Sequence, residues 1–281
     1  MMNDRLSLMT FPLAFDLAVK KLTVTDVLNI AAAREIPTVD LMNIPEDQIP
    51  AYEAAMEKTG VSVCCYIASI SFFNDRPKVY SDLQKEMDIA AALGAELFMI
   101  VPYGPMSDLK KARRLGRERV HERMAKAFSL AVKMGGRYGL RVCFETTPHD
   151  ETTLSGSDDC ERLLERVPGL GLVFDTANML PHGDETLAAY EQLKKYITYV
   201  HLKDVKPVPA RVKLPFFEYT ADGLKMSCVV WGEGIIPVKE VCTRMCDDGY
   251  MGRFAIEYVR PKKVTLETNI CQLDRFLAYL D

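Results

Sequence analysis

Gly139-Leu-Arg-Val-Cys-Phe-Glu-Thr-Thr-Pro148 and Gly169-Leu-Gly-Leu-Val-Phe-Asp-Thr-Ala-Asn178 follow one pattern: a glycine, a short apolar run, and an acid where the run stops. Such a run is too short for a stable helix and reads as a strand buried on both faces. The glycine just before it fits the C-cap of a preceding helix. Between the two segments, Ser155-Gly-Ser-Asp158 is a helix start signal. The unit is strand, helix, strand, with a repeat of about 30 residues, which is what a parallel sheet with short loops requires.

The pattern continues in both directions. Strands are expected upstream at Leu6–Thr10, Thr38–Met42, Val61–Ala68 and Glu96–Val101. The two quoted segments supply Arg141–Thr146 and Gly171–Asp175, and Thr198–Leu202 and Arg253–Tyr258 follow downstream. Gly60 and Gly94 precede the third and fourth strands, and Thr23-Val-Thr-Asp26 opens an early helix. Eight strands alternating with helical stretches predict an α/β protein with a (β/α)8 TIM barrel, one domain spanning residues 1–281. About fifty residues separate the last two strands, more than one helix and two loops need. An excursion is therefore expected at about 206–236, with Lys206–Val230 as a substrate-covering loop or small hairpin, followed by a helix near Pro237–Asp247. There is no Gly/Ser/Pro linker, low-complexity tract or close repeat.

The composition, 48% hydrophobic and 26% charged over 281 residues, allows a large core and excludes disordered and fibrous classes. A net charge of −4 offers no general attraction for a phosphate backbone, so nucleic acid is not expected as a partner. The eight cysteines contain no CxxC pair, lie mostly in apolar runs and read as reduced core thiols. Leu6–Phe15 carries no charge, but Asp4 and Asp16 flank it and Pro12 interrupts it. It reads as a first strand rather than a secretory signal. No segment reaches the length of a membrane span, and a cytoplasmic protein without a membrane partner is expected.

Four strand ends carry the chemistry. Val-Cys-Phe-Glu145, Leu-Val-Phe-Asp175, Tyr-Val-His201 and Phe-Ala-Ile-Glu257 each finish an apolar run with a residue able to bind a metal. A lone acid at a strand end is ordinarily a solvated or salt-bridged carboxylate. In a parallel barrel, however, the C-terminal strand ends face a common centre, where three carboxylates would repel one another strongly. One divalent cation relieves that repulsion. Three oxygens and one imidazole nitrogen suit Mn²⁺, Mg²⁺, Co²⁺ or Zn²⁺, with Mn²⁺ the choice here, and the lack of thiolates argues against structural zinc.

Phe144-Glu-Thr-Thr-Pro148, Gly171-Leu-Val-Phe-Asp-Thr-Ala-Asn178, Tyr199-Val-His-Leu-Lys-Asp204, Trp231-Gly-Glu-Gly-Ile-Ile-Pro237 and Ala255-Ile-Glu257, in this order and spacing, give the sequence its resemblance. It resembles the xylose isomerase-like superfamily of sugar isomerases and epimerases, which also holds inosose dehydratase, hydroxypyruvate isomerase and endonuclease IV. The resemblance implies Glu145, Asp175, His201 and Glu257 as metal ligands, with both glutamates doubling as acid/base groups. It departs from relatives at Thr147, where many have histidine and where His149 follows two positions on. It departs again at Asn178, where ketose epimerases often have histidine. Asparagine can bond a hydroxyl but cannot shuttle a proton at neutral pH, which moves proton work onto the glutamates.

The implied activity is that of a divalent-metal-dependent sugar isomerase or epimerase, abstracting a proton next to a carbonyl and passing through an enediolate. If a β-hydroxyl or glycosidic oxygen leaves the same enediolate, the site acts as a lyase or dehydratase on an inosose or 3-keto-glycoside. Candidate substrate contacts are Asn178, Lys203, His149, Arg211 from the long loop, and Tyr103 and Trp231 as flat walls for a sugar face. Lys203 equally suits a salt bridge at a strand end, His149 an exposed loop, and Tyr103 or Trp231 the core. The run Lys110-Lys-Ala-Arg-Arg-Leu-Gly-Arg-Glu-Arg119 reads as a solvated helix face or subunit contact rather than a nucleic-acid site. A repair nuclease of this superfamily gathers three metals and needs more histidines than His121, His149, His182 and His201 supply. A non-catalytic sugar-binding subunit is opposed by the presence of all four ligands. The expected partner is a small sugar or keto-sugar, and a homo-oligomer is a family-level expectation.

Overall fold

The computed structural model describes residues 3–104, 106–212, 218–219, 223–259 and 264–280. Among them the strands are β1 (Leu6–Met9), β2 (Thr38–Met42), β3 (Ser62–Ser69), β4 (Leu97–Val101), β5 (Arg141–Glu145), β6 (Gly171–Asp175), β7 (Ile197–Leu202), β8 (Asp204–Pro207), β9 (Glu218–Tyr219), β10 (Lys225–Val229) and β11 (Phe254–Ile256). The helices are α1 (Ala14–Ala18), α2 (Val24–Ala32), α3 (Ile49–Thr59), α4 (Arg76–Ala92), α5 (Met106–Leu115), α6 (Arg117–Tyr138), α7 (Ser157–Arg166), α8 (Thr186–Leu193), α9 (Val238–Asp247) and α10 (Leu266–Leu280). Eight strands close into a barrel in the order β1-β11-β7-β6-β5-β4-β3-β2, and every pairing in it is parallel.

Side chains alternate along a strand, so each strand serves two compartments. Tyr66, Phe98, Phe144, Phe174, Val200 and Phe254 pack outward with the helices in the larger core cluster. Cys65, Met99, Cys143, Val173, Tyr199 and Ala255 point the other way and form a second cluster that fills the barrel. α6 shows how closely the helices approach the strands. Val120, Met124, Phe128, Ala131, Met134 and Gly135 form its buried stripe, and a Cβ on Gly135 would come within 2.5 Å of Val142 on β5. Glycine there lets the helix lie against the sheet.

Local start signals are met in two ways. Thr23 and Asp26 form a reciprocal capping box at α2, with Asp26 Oδ2 accepting the Thr23 amide at 2.7 Å. At α7 the N-cap is Gly156, and the cap comes from across the fold: Asp184 Oδ2 accepts from the Ser157 amide at 2.6 Å and from its hydroxyl at 2.7 Å. The basic run is broken at Gly116 (φ +79°), and Arg113, Arg117 and Glu118 pair with Glu151, Asp159 and Arg162 on or next to α7. All eight cysteines are free. No described helix is long and apolar enough to cross a membrane.

In the stretch expected to leave the barrel after β7, three strands pair antiparallel in the order β8-β10-β9. Asp204 fixes its root. The buried carboxylate accepts from the backbone amides of Val205 (2.8 Å), Gly232 (2.9 Å), Gly234 (2.9 Å) and Ile236 (3.0 Å). A Cβ on Gly234 would meet that carboxylate and the Val205 carbonyl, which explains the glycine in Trp-Gly-Glu-Gly. Removing the acceptor leaves buried amides unpaired. Asp204→Ala is expected to lower the unfolding free energy by roughly 3 kcal/mol or more in urea titration, and a loss below about 0.5 kcal/mol would show that the excursion does not depend on this residue.

Candidate metal and catalytic site

β11, β7, β6 and β5 are neighbours in the barrel order. Cys143, Val173, Tyr199 and Ala255 of these strands belong to the interior cluster. Two residues further on, the same face carries Glu145, Asp175, His201 and Glu257. The period of two, applied at four adjacent strand ends, brings these groups together. One potential ligand atom from each lies within 4.8 Å of all the others.

The contacts within the cluster are short. His201 Nδ1 is 2.8 Å from Glu145 Oε1 and 3.1 Å from Glu257 Oε2. Lys203 Nζ is 2.9 Å from Asp175 Oδ2 and 3.2 Å from Glu257 Oε1, and it donates to Asn178 Oδ1 at 2.7 Å. Asp175 Oδ1 accepts from the amides of Ala177 (2.7 Å) and Asn178 (2.9 Å). Asn178 Nδ2 in turn donates to the Thr146 carbonyl at 2.8 Å. The Thr176 hydroxyl locks Lys203 in place, donating to its carbonyl at 2.6 Å and accepting from its amide at 2.9 Å.

Burial sharpens the electrostatics. Burial by itself would push the His201 imidazole pKa down, but Glu145 and Glu257 outweigh it and raise the pKa well above its usual value. Burial works against the charge on Glu257, yet Lys203 and His201 hold its carboxyl well below the usual carboxylate range. Glu257 Oε2 is buried without a hydrogen-bond partner, because the one proton His201 Nδ1 can carry is aligned with Glu145. Three carboxylates and an imidazole nitrogen, with Glu257 Oε2 buried and unserved, are a donor set that fits a divalent cation of oxygen and nitrogen preference. Glu145, Asp175, His201 and Glu257 could hold it.

Other residues singled out in the sequence divide by location. Asn178 and Lys203 join the cluster. Tyr103 and His149 meet edge to face, ring centres 5.4 Å apart, and burial lowers the His149 pKa. Trp231 is a core residue and not a wall of the site: it is 2% exposed, packs edge-on against Phe276 and donates through Nε1 to the Leu202 carbonyl at 3.0 Å. Arg211 is exposed in the turn around Pro209–Val212, and no described hydrogen bond or ion pair joins it to the cluster. His121 is buried beside Arg166, with His182 against Gly156, so among the described residues His201 is the one histidine in the cluster.

The sequence reading missed Asp40 on β2. It is fully buried, accepts from the Ser7 hydroxyl (2.7 Å) and the Tyr199 hydroxyl (2.7 Å), and burial raises its carboxyl pKa. Tyr199 also meets the His201 ring edge to face at 5.4 Å. The available signal was an acid in the middle of Thr-Val-Asp-Leu-Met, where a strand buried on both faces should have none.

The fold and the cluster together define a closed parallel (β/α)8 barrel with three carboxylates and one imidazole gathered at adjacent strand ends. The match to the xylose isomerase-like TIM barrel family covers residues 29–276, and the chain belongs to that family. A curated relative, inosose dehydratase of Bacillus anthracis, is 24% identical over 201 residues, covering 66% of this chain and 66% of its own length, just under two thirds. Among solved structures, the IolI protein with a bound zinc atom superposes with TM-score 0.72 at 16% identity, covering 98% of this chain and 97% of that one. The 3-keto-D-glucoside 4-epimerase YcjR of E. coli superposes with TM-score 0.68 at 12% identity, covering 98% and 99%.

Mn²⁺ is expected to bind once per chain and to raise the thermal unfolding midpoint, by roughly 2.7 kcal/mol of stability at a free concentration 100 times Kd. Chelation should reverse the gain and Asp175→Asn should remove it, read by calorimetry. If unfolding of the wild-type chain does not move with Mn²⁺, Mg²⁺, Co²⁺ or Zn²⁺, the four residues are not a metal site.

Proposed function

We propose that this chain is a sugar isomerase or epimerase that removes a proton beside the carbonyl of a small polyhydroxylated substrate. The observation that carries the reading is the pair of glutamates, Glu145 and Glu257, both within 3.1 Å of the same His201 nitrogen at the mouth of the barrel. Two carboxylates on a shared centre, facing a substrate between them, are an acid/base pair: one takes the proton from carbon and the other returns one. Return to the opposite face of the same carbon inverts it, whereas return to the neighbouring carbon exchanges aldose for ketose. A divalent cation bound by Glu145, Asp175, His201 and Glu257 would supply Lewis acidity to the carbonyl oxygen, and Mn²⁺ is the proposed ion.

The remaining residues bind and orient. Asn178, already bonded to Lys203 and Thr146, has a fixed amide to present to a hydroxyl and takes no part in proton transfer. Tyr103 and His149 offer a flat, partly polar edge for the substrate. The second reading is a lyase or dehydratase acting on an inosose or 3-keto-glycoside through the same enediolate. The inosose dehydratase relatives favour it.

In D2O, the Mn²⁺-loaded protein is expected to incorporate deuterium into a ketose, inosose or 3-keto-glycoside, followed by mass spectrometry and NMR. An isomeric product supports the first reading and loss of water or aglycone the second. Glu145→Gln and Glu257→Gln should each abolish product formation, a drop of about 10²-fold to 10⁴-fold. Near-normal turnover in either variant would remove that residue from the scheme.

A further inference from the structure

The cluster occupies one half of the barrel mouth, and the other half is of opposite character. In the closed order β1-β11-β7-β6-β5-β4-β3-β2 the strands that carry the cluster are contiguous, and so are β1 to β4. The C-terminal ends of both sets line the same mouth. Met9 of β1, Met42 of β2, Ile67 of β3 and Val101 of β4 pack into the barrel interior, and Phe11, just past β1, packs with them. Phe11, Met42 and Val101 are half-buried, so part of each faces outward. Polar groups on this side are few. Asp40 is the one acid on β1 to β4, and it is fully buried and engaged by Ser7 and Tyr199. The Thr10 hydroxyl is tied to the Asp40 carbonyl at 2.7 Å. Ser69, two residues beyond Ile67, is an exposed hydroxyl at the end of β3.

A site of this make-up sorts ligands by where they carry hydroxyls. A hydroxyl desolvated against methionine, phenylalanine and valine side chains finds no partner, and each such group weakens binding about 10-fold. An inosose carries oxygen on every ring carbon, so the edge it turns away from the cluster meets this wall badly. A carbon-rich substituent meets it well, because thioethers and a phenyl ring pack against flat apolar groups and adapt to their outline.

We propose that the substrate is a keto-glycoside, with its sugar over Glu145, Asp175, His201 and Glu257 and an apolar, aromatic aglycone against Met9, Phe11, Met42 and Val101. The proposal rests on the proton-abstraction reading for the chemistry at the sugar end and not for the binding of the aglycone. Phe11, Met42 and Val101 are then specificity-determining residues. The same division of the mouth serves an epimerase, which keeps the aglycone attached, and a lyase, which releases it.

The binding test uses ligands that cannot react. Phenyl glucoside, methyl glucoside and inositol lack the carbonyl that proton abstraction needs, and each is titrated by calorimetry into the protein in the presence of Mn²⁺. Phenyl glucoside is expected to bind about 10-fold to 100-fold more tightly than methyl glucoside, the effect of burying a phenyl ring, and more tightly than inositol by a similar factor. Met42→Gln and Val101→Thr, close in shape to the residues they replace, should each reduce the phenyl-to-methyl ratio about 5-fold or more and leave Mn²⁺ affinity unchanged. Met42→Leu should keep the ratio. A residue that only supports the fold would weaken both glucosides alike. Equal affinity for the two glucosides, no binding of phenyl glucoside at millimolar concentration, or an unchanged ratio in Met42→Gln would overturn the proposal. Deuterium exchange into phenyl 3-keto-glucoside and into an inosose separates the two readings. Exchange into the inosose alone overturns the aglycone site and leaves proton abstraction intact. Tight binding of phenyl glucoside with exchange into neither contradicts proton abstraction and leaves the aglycone site standing.

Discussion

Three carboxylates and an imidazole occupy one buried place at the end of the barrel, and such a concentration of like charge has to be compensated. Glu145, Asp175 and Glu257 bring −3 when ionised, and Lys203 returns +1, leaving −2 around His201. A divalent cation matches that remainder. The same carboxylates, Glu145 and Glu257, raise the His201 imidazole pKa against the effect of its burial. Replacing any one of these groups alone would leave the others poorly matched, which is why a buried set of this kind is costly to break.

The rest of the architecture serves that convergence. Parallel strands put four strand ends at one rim, and the alternation of side chains turns the residue two beyond Cys143, Val173, Tyr199 and Ala255 into the barrel. Asp40 and Tyr199 continue the polar column one layer down, with Tyr199 against the His201 ring. Asp204, one residue after Lys203, ties the root of the excursion to the end of β7 through four backbone amides. One short stretch, His201 to Asp204, therefore carries the imidazole of the cluster, the lysine that pairs with Asp175 and Glu257, and the anchor of the loop that follows.

The strands were legible because each is buried on both faces, so a short apolar run has no competing reading. Expected and observed spans differ by no more than two residues at either end: Arg253–Tyr258 became Phe254–Ile256 and Val61–Ala68 became Ser62–Ser69. The cluster was legible because a polar residue that closes an apolar run has nowhere to go but the rim. What lay beyond the sequence depends on pairings between distant segments. Trp231 lies in Trp-Gly-Glu-Gly, and only the packing of α10 against it reveals a core residue. The excursion read as a loop or hairpin, whereas its strands pair β8 to β10 to β9, an order that local pattern does not encode. The cap on α7 comes from Asp184, beyond the reach of any local motif. Lys203 could be read as a salt-bridging residue, but which carboxylates it meets is fixed by the pairing of β7 with β6 on one side and β11 on the other.

The central claim is that four strand ends share one divalent cation. Anomalous diffraction from Mn²⁺-soaked crystals tests it most directly. The account predicts one strong peak about 2.0–2.3 Å from a carboxylate oxygen of Glu145, Asp175 and Glu257 and from a ring nitrogen of His201. Density showing the Lys203–Glu257 and His201–Glu145 pairs unchanged at saturating Mn²⁺, with no peak between them, would contradict it.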